Sequence, residues 1–254
     1  MLLQLENISC AFGGLKAVDQ VSLDVAAGLV KAVIGPNGAG KTTLFNLITG
    51  FLAPDAGRII FQGQEIQGRP AFAVARLGIG RTFQLVQLFD HLTVLENVMV
   101  GRHRLSRAGL LAGALALPFT RREERDIREQ AFSALEFVGL ADRASQPAAI
   151  LPLGLKRLLE IARALASEPT LLLLDEPASG LDAVETDRLG DMILALKARG
   201  ITIILVEHDM GLTMEVADDI AVLNYGRHIA HGAPREVQRD PEVIAAYLGS
   251  DWNV

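Results

Sequence analysis

Apolar and polar residues alternate along the first part of the chain, and short unbroken apolar runs follow. Apolar residues at two-residue spacing predict one strand from Leu3 and a second around Val21, with Gly13 and Gly14 in the turn between them. Val30–Ile34 form an unbroken apolar run of the kind found in buried strands. The first part of the chain is therefore predicted to be largely β-structure.

The elements that follow predict an α/β fold. Residues 42–52 have the pattern of a helix, and residues 57–61 that of a further strand. Residues 171–174 and 201–206 are apolar runs bounded by polar turns, as expected of central parallel strands. Residues 220–230 are predicted to form a hairpin, and a terminal helix is expected to start with an N-cap at Asp240 and proline at N1.

The middle of the chain has a helical pattern without a strand signal. Thr93 and Glu96 have the spacing of a capping box, and residues 121–138 form a charged, amphipathic helix pattern. This block, about residues 85–165, is predicted to be a helical subdomain inserted into an α/β core.

The composition of the chain indicates a folded protein and argues against several other classes. Half of the 254 residues are apolar, which is enough for a core, and the net charge of −6 argues against a broad nucleic-acid-binding surface. Cys10, the one cysteine, cannot form a disulfide within the chain, so a reducing compartment is expected. We expect no signal peptide, and the apolar stretch at residues 108–119 is shorter than the roughly 20 residues that a membrane-spanning helix needs.

A glycine-rich sequence between a predicted strand and a predicted helix indicates phosphate binding. Residues 35–42, GPNGAGKT, match the P-loop pattern G-x-x-x-x-G-K-[ST]. The glycines let backbone N–H groups face phosphate oxygens, and the following helix N-terminus adds partial positive charge. Lys41 is predicted to reach the β- and γ-phosphates and Thr42 to bind Mg²⁺. The predicted nucleotide-binding residues in this segment are Gly35, Asn37, Gly38, Ala39, Gly40, Lys41, Thr42 and Thr43.

Two carboxylates follow the leucine run at residues 171–174. Asp175 is predicted to hold Mg²⁺, directly or through water, and Glu176 to orient or deprotonate the attacking water. The alternative is that both side chains cap the following turn. Two carboxylates beside a buried strand are costly unless a cation or water uses them, which favours the catalytic interpretation.

These two motifs, Walker A and Walker B, resemble those of the ATP-binding cassette (ABC) ATPases, as does most of the chain. Gln84 lies at the position of that family's Q-loop glutamine and His208 at that of its switch histidine. Asp182 ends a sequence similar to the D-loop, and Phe12 lies where the family has an adenine-stacking aromatic, usually tyrosine. The resemblance implies that ATP and Mg²⁺ are the cofactors. It implies catalytic roles for Glu176, His208 and Gln84. It also implies nucleotide contacts at Phe12 and Asp182, and metal contacts at Thr42, Gln84 and Asp175.

The family's signature sequence, L-S-G-G-Q, is altered here. In the register set by residues 161–165, Pro152 replaces the serine, Leu153 the first glycine and Leu155 the glutamine, while Gly154 remains as the predicted nucleotide contact. Proline has neither hydroxyl nor N–H, and leucine resists the positive φ that glycine adopts. Family members form head-to-tail dimers in which each nucleotide faces the other chain's signature. The resemblance therefore favours a heterodimer with a second, related ATPase over a homodimer.

Three regions most resemble the ATP-binding subunits of branched-chain amino-acid importers and their relatives for urea and short amides. They are residues 12–18, the insertion after Gln84 that includes residues 92–98 and 102–122, and the ending at 240–249. The resemblance implies two membrane permeases, the second ATPase and, indirectly, an extracytoplasmic solute-binding protein. It places the chain on the cytoplasmic face of the inner or plasma membrane, held there by the permeases. The predicted permease-docking residues are Leu85, Val86, Leu88 and Phe89.

The expected fold is a P-loop ATPase core with an antiparallel β subdomain and an inserted helical subdomain. One ABC ATPase domain over residues 1–254 would divide into a core at 1–84 and 166–254 and the helical block at about 85–165. The expected function is ATP hydrolysis that powers import of branched-chain amino acids. The alternatives are a urea or short-amide importer, an ABC ATPase outside transport, and a binding-only regulatory subunit. A GTPase or nucleotide kinase is disfavoured because the chain has no N-K-x-D guanine motif.

Overall fold

The computed structural model of the protein describes residues 1–102 and 118–248. The strands are β1 (Leu3–Phe12), β2 (Leu15–Val25), β3 (Val30–Ile34), β4 (Ala56–Phe61), β5 (Gln64–Glu65), β6 (Ile79–Arg81), β7 (Leu171–Asp175), β8 (Thr202–Val206), β9 (Asp219–Asn224) and β10 (Arg227–Gly232). The helices are α1 (Lys41–Ile48), α2 (Ala71–Arg76), α3 (Val94–Arg102), α4 (Pro118–Phe137), α5 (Leu153–Leu165), α6 (Ala183–Ala198), α7 (Met210–Val216), α8 (Pro234–Val237) and α9 (Pro241–Leu248).

A six-stranded sheet forms the centre of the molecule, with the order β10-β9-β3-β8-β7-β6. The pairs β9–β3, β3–β8, β8–β7 and β7–β6 are parallel, and β10 is antiparallel to β9. Every residue of β3, β7 and β8 is buried. Helices cover both faces of such a sheet, which explains why these three strands are unbroken apolar runs in the sequence.

A four-stranded antiparallel sheet with the order β2-β1-β4-β5 packs beside the central sheet. Its strands alternate between buried and exposed positions, so Leu3, Leu5 and Ile8 point into a core shared with α1 and the strand β3. Phe45 of α1 is fully buried in this core. The alternating pattern at the start of the chain thus corresponds to a sheet with one face packed and one face exposed.

Helices α3, α4 and α5 pack on one another and, with α6, on the β7 and β8 side of the central sheet. The predicted capping box is present at the start of α3, where Thr93 Oγ1 accepts from Glu96 N at 3.2 Å and Thr93 N donates to Glu96 Oε2 at 2.8 Å. Asn97 is fully buried, and it accepts from Phe89 N at 2.9 Å and donates to Phe89 O at 3.0 Å. Its amide therefore fixes the chain segment that enters α3.

Most predicted elements are confirmed, with shifts of a few residues at their ends. The clearest error is the helix expected at residues 42–52, because α1 ends at Ile48. Gly50 ends it with φ +75°, in a place where a Cβ atom would collide with the Arg69 carbonyl oxygen. The short elements α2 and β6 were not expected, since three to six residues carry little periodicity.

The predicted α/β core with an antiparallel sheet and a helical block is confirmed. The exact subdomain limits at 84, 85, 165 and 166 stay a prediction. Most of the apolar segment expected between 102 and 122 lies outside the described residues, as does Gly249. Over the described part of the chain, no helix combines the length and the apolar character that a membrane crossing requires.

Candidate ATP site

The P-loop connects β3 to α1, and two of its glycines are required by the backbone. Gly35 has φ +149° and Gly40 has φ +101°. A Cβ atom at Gly35 would collide with the Leu223 carbonyl oxygen, and one at Gly40 with the Ala17 carbonyl oxygen. A residue with a side chain would therefore strain the backbone and displace neighbouring main chain at both positions.

Lys41 lies folded into this loop. Its Nζ donates to the carbonyl oxygens of Gly35 at 2.6 Å and Pro36 at 3.0 Å, and its side chain is buried. Burial lowers the pKa of Lys41, while the charges of Glu176 and Asp175 oppose that effect. Because a phosphate oxygen is a stronger acceptor for an ammonium than a carbonyl oxygen is, the loop is ready to receive an anion.

Asp175 ends β7 and forms a buried ion pair that the sequence did not predict. Its Oδ2 accepts from Arg81 Nη2 at 2.9 Å, and only 1% of the residue is exposed. Burial raises the pKa of Asp175, and Arg81 is the main influence that lowers it. Arg81 also donates to Asn46 Oδ1 at 2.7 Å and Thr49 Oγ1 at 3.1 Å. Arg81 thus joins strand β7 to helix α1, which carries the P-loop lysine.

Gln84, Glu176 and His208 meet next to the P-loop. Gln84 Nε2 donates to Glu176 Oε2 at 2.9 Å, and His208 Nε2 lies 3.0 Å from Glu176 Oε1. Glu176 has φ +48°, which is unusual for a residue with a side chain and stores backbone strain at this point. The structure therefore brings together the three side chains for which the sequence predicted catalytic roles, with one neighbour on each oxygen of the carboxylate.

Glu207 fixes the turn that carries His208, and no sequence motif pointed to it. Its buried carboxylate accepts from Ala178 N at 2.7 Å and from His208 N at 2.9 Å. Burial raises the pKa of Glu207, and these backbone N–H groups oppose the rise. The segment after Glu176 and the segment around His208 are therefore held to each other by one carboxylate.

The remaining predicted nucleotide contacts differ in how far they are exposed. Phe12, at the end of β1, is half exposed, so its ring is free to stack on a base. Asn37, Gly38 and Thr42 are exposed, whereas Ala39 is buried and Thr43 is half-buried. The adenine contact of Phe12 stays a prediction.

Asp182 is the N-cap of α6. Its Oδ1 accepts from Glu185 N at 2.8 Å, and Glu185 Oε2 accepts from Asp182 N at 3.1 Å, which completes a capping box. Helix capping is therefore the role that the structure describes for Asp182. A contact to nucleotide remains a prediction.

The signature region forms the start of α5. Pro152 is the N-cap with φ −56°, and Leu153–Leu165 are helical, so no leucine there has a positive φ. A proline at the N-cap loses little, because its missing N–H is outside the helical hydrogen bonds. Gly154 is buried, and Leu153 is half exposed beside Gly180. The signature is therefore altered in its side chains, while its backbone is regular helix from Leu153 onward.

The central parallel sheet, the P-loop at the end of β3 and the carboxylates at the end of β7 define a P-loop nucleotide-hydrolysing cassette. The family model described as "ABC transporter" matches residues 18–179, and the one described as "Branched-chain amino acid ATP-binding cassette transporter" matches residues 227–253.

Known proteins match nearly the whole chain. It is 45% identical to the high-affinity branched-chain amino acid transport ATP-binding protein BraF of Pseudomonas aeruginosa and 43% identical to LivG of Escherichia coli K12. Each match covers 98% of both chains. A crystal structure of an ATP-binding cassette of an ABC transporter in its ADP conformation has a TM-score of 0.85 and 36% identity over 98% of each chain.

The chain belongs to the ABC transporter family, as an ATP-binding protein of its branched-chain amino acid importer type. It is an ATP-hydrolysing subunit, and both the fold and the family expected from the sequence are confirmed.

The P-loop geometry predicts different effects for two glycine-to-alanine substitutions. Gly38 has φ +79° with open space around it, so Gly38→Ala should lower the free energy of unfolding by about 1–2 kcal/mol through backbone strain alone. Gly40→Ala should cost about 1–3 kcal/mol more, because its Cβ also collides with the Ala17 carbonyl oxygen. Urea unfolding of the nucleotide-free protein measures both. Equal losses for the two variants would contradict this account of the loop.

Proposed function

We propose that this chain hydrolyses ATP to drive the import of branched-chain amino acids through membrane permeases. The observation that carries the proposal is the meeting of Gln84, Glu176 and His208 beside the P-loop. A structural site needs no such cluster of polar groups around one strained carboxylate. The solute is inferred from the relatives BraF and LivG, whose names specify branched-chain amino acid transport.

In the proposed mechanism, catalysis consists of positioning and charge neutralisation. Lys41 moves from the Gly35 and Pro36 carbonyls to the β- and γ-phosphates, where backbone N–H groups of the loop also bind. Glu176 accepts a hydrogen bond from the attacking water and polarises it. Its two oxygens are flanked by the Gln84 amide and the His208 ring, so its orientation is set before water arrives. His208 also contacts the γ-phosphate.

The residues predicted to bind Mg²⁺ fit a hard cation. Thr42, Gln84 and Asp175 all offer oxygen ligands, which Mg²⁺ prefers. Asp175 Oδ1 is buried and has no hydrogen-bond partner among the residues that the structure describes, so one carboxylate oxygen is available for an ion or its water. When bound, Mg²⁺ would neutralise charge on the phosphate oxygens.

Substituting Glu176 tests its catalytic role. Glu176→Gln keeps the size of the side chain and removes the negative charge that polarises water. ATP turnover should fall roughly 10²- to 10⁴-fold. ATP affinity, measured by equilibrium binding, should be retained because the P-loop is unchanged. Turnover close to that of the wild type would rule out the role proposed for Glu176.

The proposed partners are two permeases, a second related ATPase in a head-to-tail dimer and, through the permeases, an extracytoplasmic solute-binding protein. These partners place the chain at the cytoplasmic face of the membrane. Leu85 and Phe89, in the segment after Gln84, are exposed and offer apolar contact to a permease helix, whereas Leu88 packs partly against the helical core. A heterodimer is favoured over a pair of identical chains because the signature lacks its serine and first glycine.

Restoring the signature tests whether its alteration weakens one ATP site. The double variant Pro152→Ser with Leu153→Gly regains the hydroxyl and the small residue that the family uses near the γ-phosphate of the opposite subunit. We expect ATP turnover by the assembled complex to rise severalfold, because both sites of the dimer would then be competent. Unchanged hydrolysis and transport would show that the altered signature is no functional defect.

The solute is tested by uptake of labelled leucine in cells that lack this gene. Deletion should abolish uptake, and the wild-type gene should restore it. Lys41→Ala should fail to restore it, because the lysine that binds phosphate is missing. If leucine uptake never changes, the solute assignment is wrong, and labelled urea and short amides are tested in the same strains.

A further inference from the structure

Helix α5 holds the backbone of the segment that contains Gln84. This segment, residues 83–87, is called the Q-loop below. Arg157 Nη1 donates to the carbonyl oxygen of Phe83 at 3.0 Å. Glu160 Oε1 lies 3.4 Å from both Phe83 N and Gln87 N and accepts from each. Two charged side chains, one helical turn apart, therefore bind the backbone on both sides of Gln84.

Both charged groups lie inside the protein. Arg157 is 7% exposed and Glu160 only 1%. Burial raises the pKa of Glu160, and the N–H of Gln87 is the first of the influences that oppose it, followed by the charge of Arg163. Arg163 Nη2 lies 3.6 Å from Glu160 Oε1. Burying charges is costly, and an apolar pair would fill the same space more cheaply, so these side chains are better explained by the backbone groups that they bind.

The same helix begins at the signature. From Leu153 to Glu160 the helical rise is about 10 Å, at roughly 1.5 Å per residue. If α5 moves as a rigid body, a movement of its signature end would displace the Q-loop as well. Gln84, between the anchored backbone groups of residues 83 and 87, donates to Glu176 at 2.9 Å. Displacement of the Q-loop would change that contact directly.

We propose that Arg157 and Glu160 are positioning residues that hold the Q-loop so that Gln84 stays against Glu176, and that they couple the signature end of α5 to ATP hydrolysis. Neither side chain touches the reacting atoms. They act through Gln84, so this inference rests on the catalytic role proposed for Gln84 above.

A double-mutant cycle tests the proposal. Arg157→Met keeps an unbranched apolar side chain of about the length of the arginine stem and removes the guanidinium that donates to Phe83. It is made alone and together with Gln84→Ala, and ATP turnover is measured on the complex that copurifies with the tagged full-length chain. We expect Arg157→Met alone to lower kcat about tenfold with little change in KM, since small displacements in an active site cost between one and two orders of magnitude. In the Gln84→Ala background the same substitution should change kcat less than about twofold.

Control variants separate positioning from folding. Lys156→Met alters the neighbouring charged residue of α5 and should leave kcat near the wild-type value. Arg157→Lys keeps a charged donor and should retain more turnover than Arg157→Met. Glu160→Gln keeps an oxygen acceptor and is tested in the same cycle with Gln84→Ala. If Arg157→Met does not fold, the cycle with Glu160→Gln is used in its place. Unfolding midpoints are measured for every variant, because a purely structural role would lower the midpoint and leave kcat per folded molecule unchanged.

The possible negative results distinguish a wrong role for Gln84 from a wrong role for Arg157 and Glu160. If Gln84→Ala alone hydrolyses ATP at the wild-type rate, the role proposed for Gln84 is wrong, and the positioning role is wrong with it. If Gln84→Ala is slow but Arg157→Met and Glu160→Gln are not, only the positioning role is overturned. Fully additive losses of kcat in the cycle would also overturn it, because they would show that Arg157 does not act through Gln84.

Discussion

The site depends on a constraint of sheet geometry, because neighbouring parallel strands end at the same edge. Strands β3, β8 and β7 are adjacent. The P-loop follows the carboxyl end of β3, His208 follows that of β8, and Asp175 is the last residue of β7. Ligands bind at this edge in open α/β sheets. Burial of these apolar strands therefore stabilises the fold and also assembles a site from segments that are far apart in sequence.

Buried charged side chains are the second feature that connects the structure with its function. Lys41, Asp175 and Arg81 are all held where water has little access, and each is paired with carbonyl or charged groups. Such pairs add little net stability compared with apolar residues of the same size. They are better explained as a set of charges placed to receive the nucleotide. Family membership agrees with this explanation, because ATP hydrolysis is the activity of the whole family.

Much of the fold and part of the site could be predicted from local sequence patterns. Apolar runs predicted β3, β7 and β8, and the P-loop, Glu176 and His208 lie in motifs whose spacing is specific. Arg81, Glu160 and Glu207 could not be predicted, because their partners are long-range: Arg81 pairs with Asp175, 94 residues away, and Glu160 with the backbone of Phe83. The helical backbone at Leu153 could not be predicted either, because a motif shows which residue is present and not the backbone conformation that it adopts.

Gln84, Glu176 and His208 are proposed to surround the point at which the P-loop presents the γ-phosphate. The most direct test is an electron cryo-microscopy structure of the assembled complex with Mg²⁺ and a non-hydrolysable ATP analogue. We expect Lys41 Nζ to leave the carbonyl oxygens of Gly35 and Pro36 for the phosphates. The γ-phosphate should lie within hydrogen-bond reach of His208, with Glu176 facing the side from which water attacks. A bound nucleotide with Lys41 still on those carbonyls, or with His208 and Glu176 turned away from the γ-phosphate, would contradict this proposal.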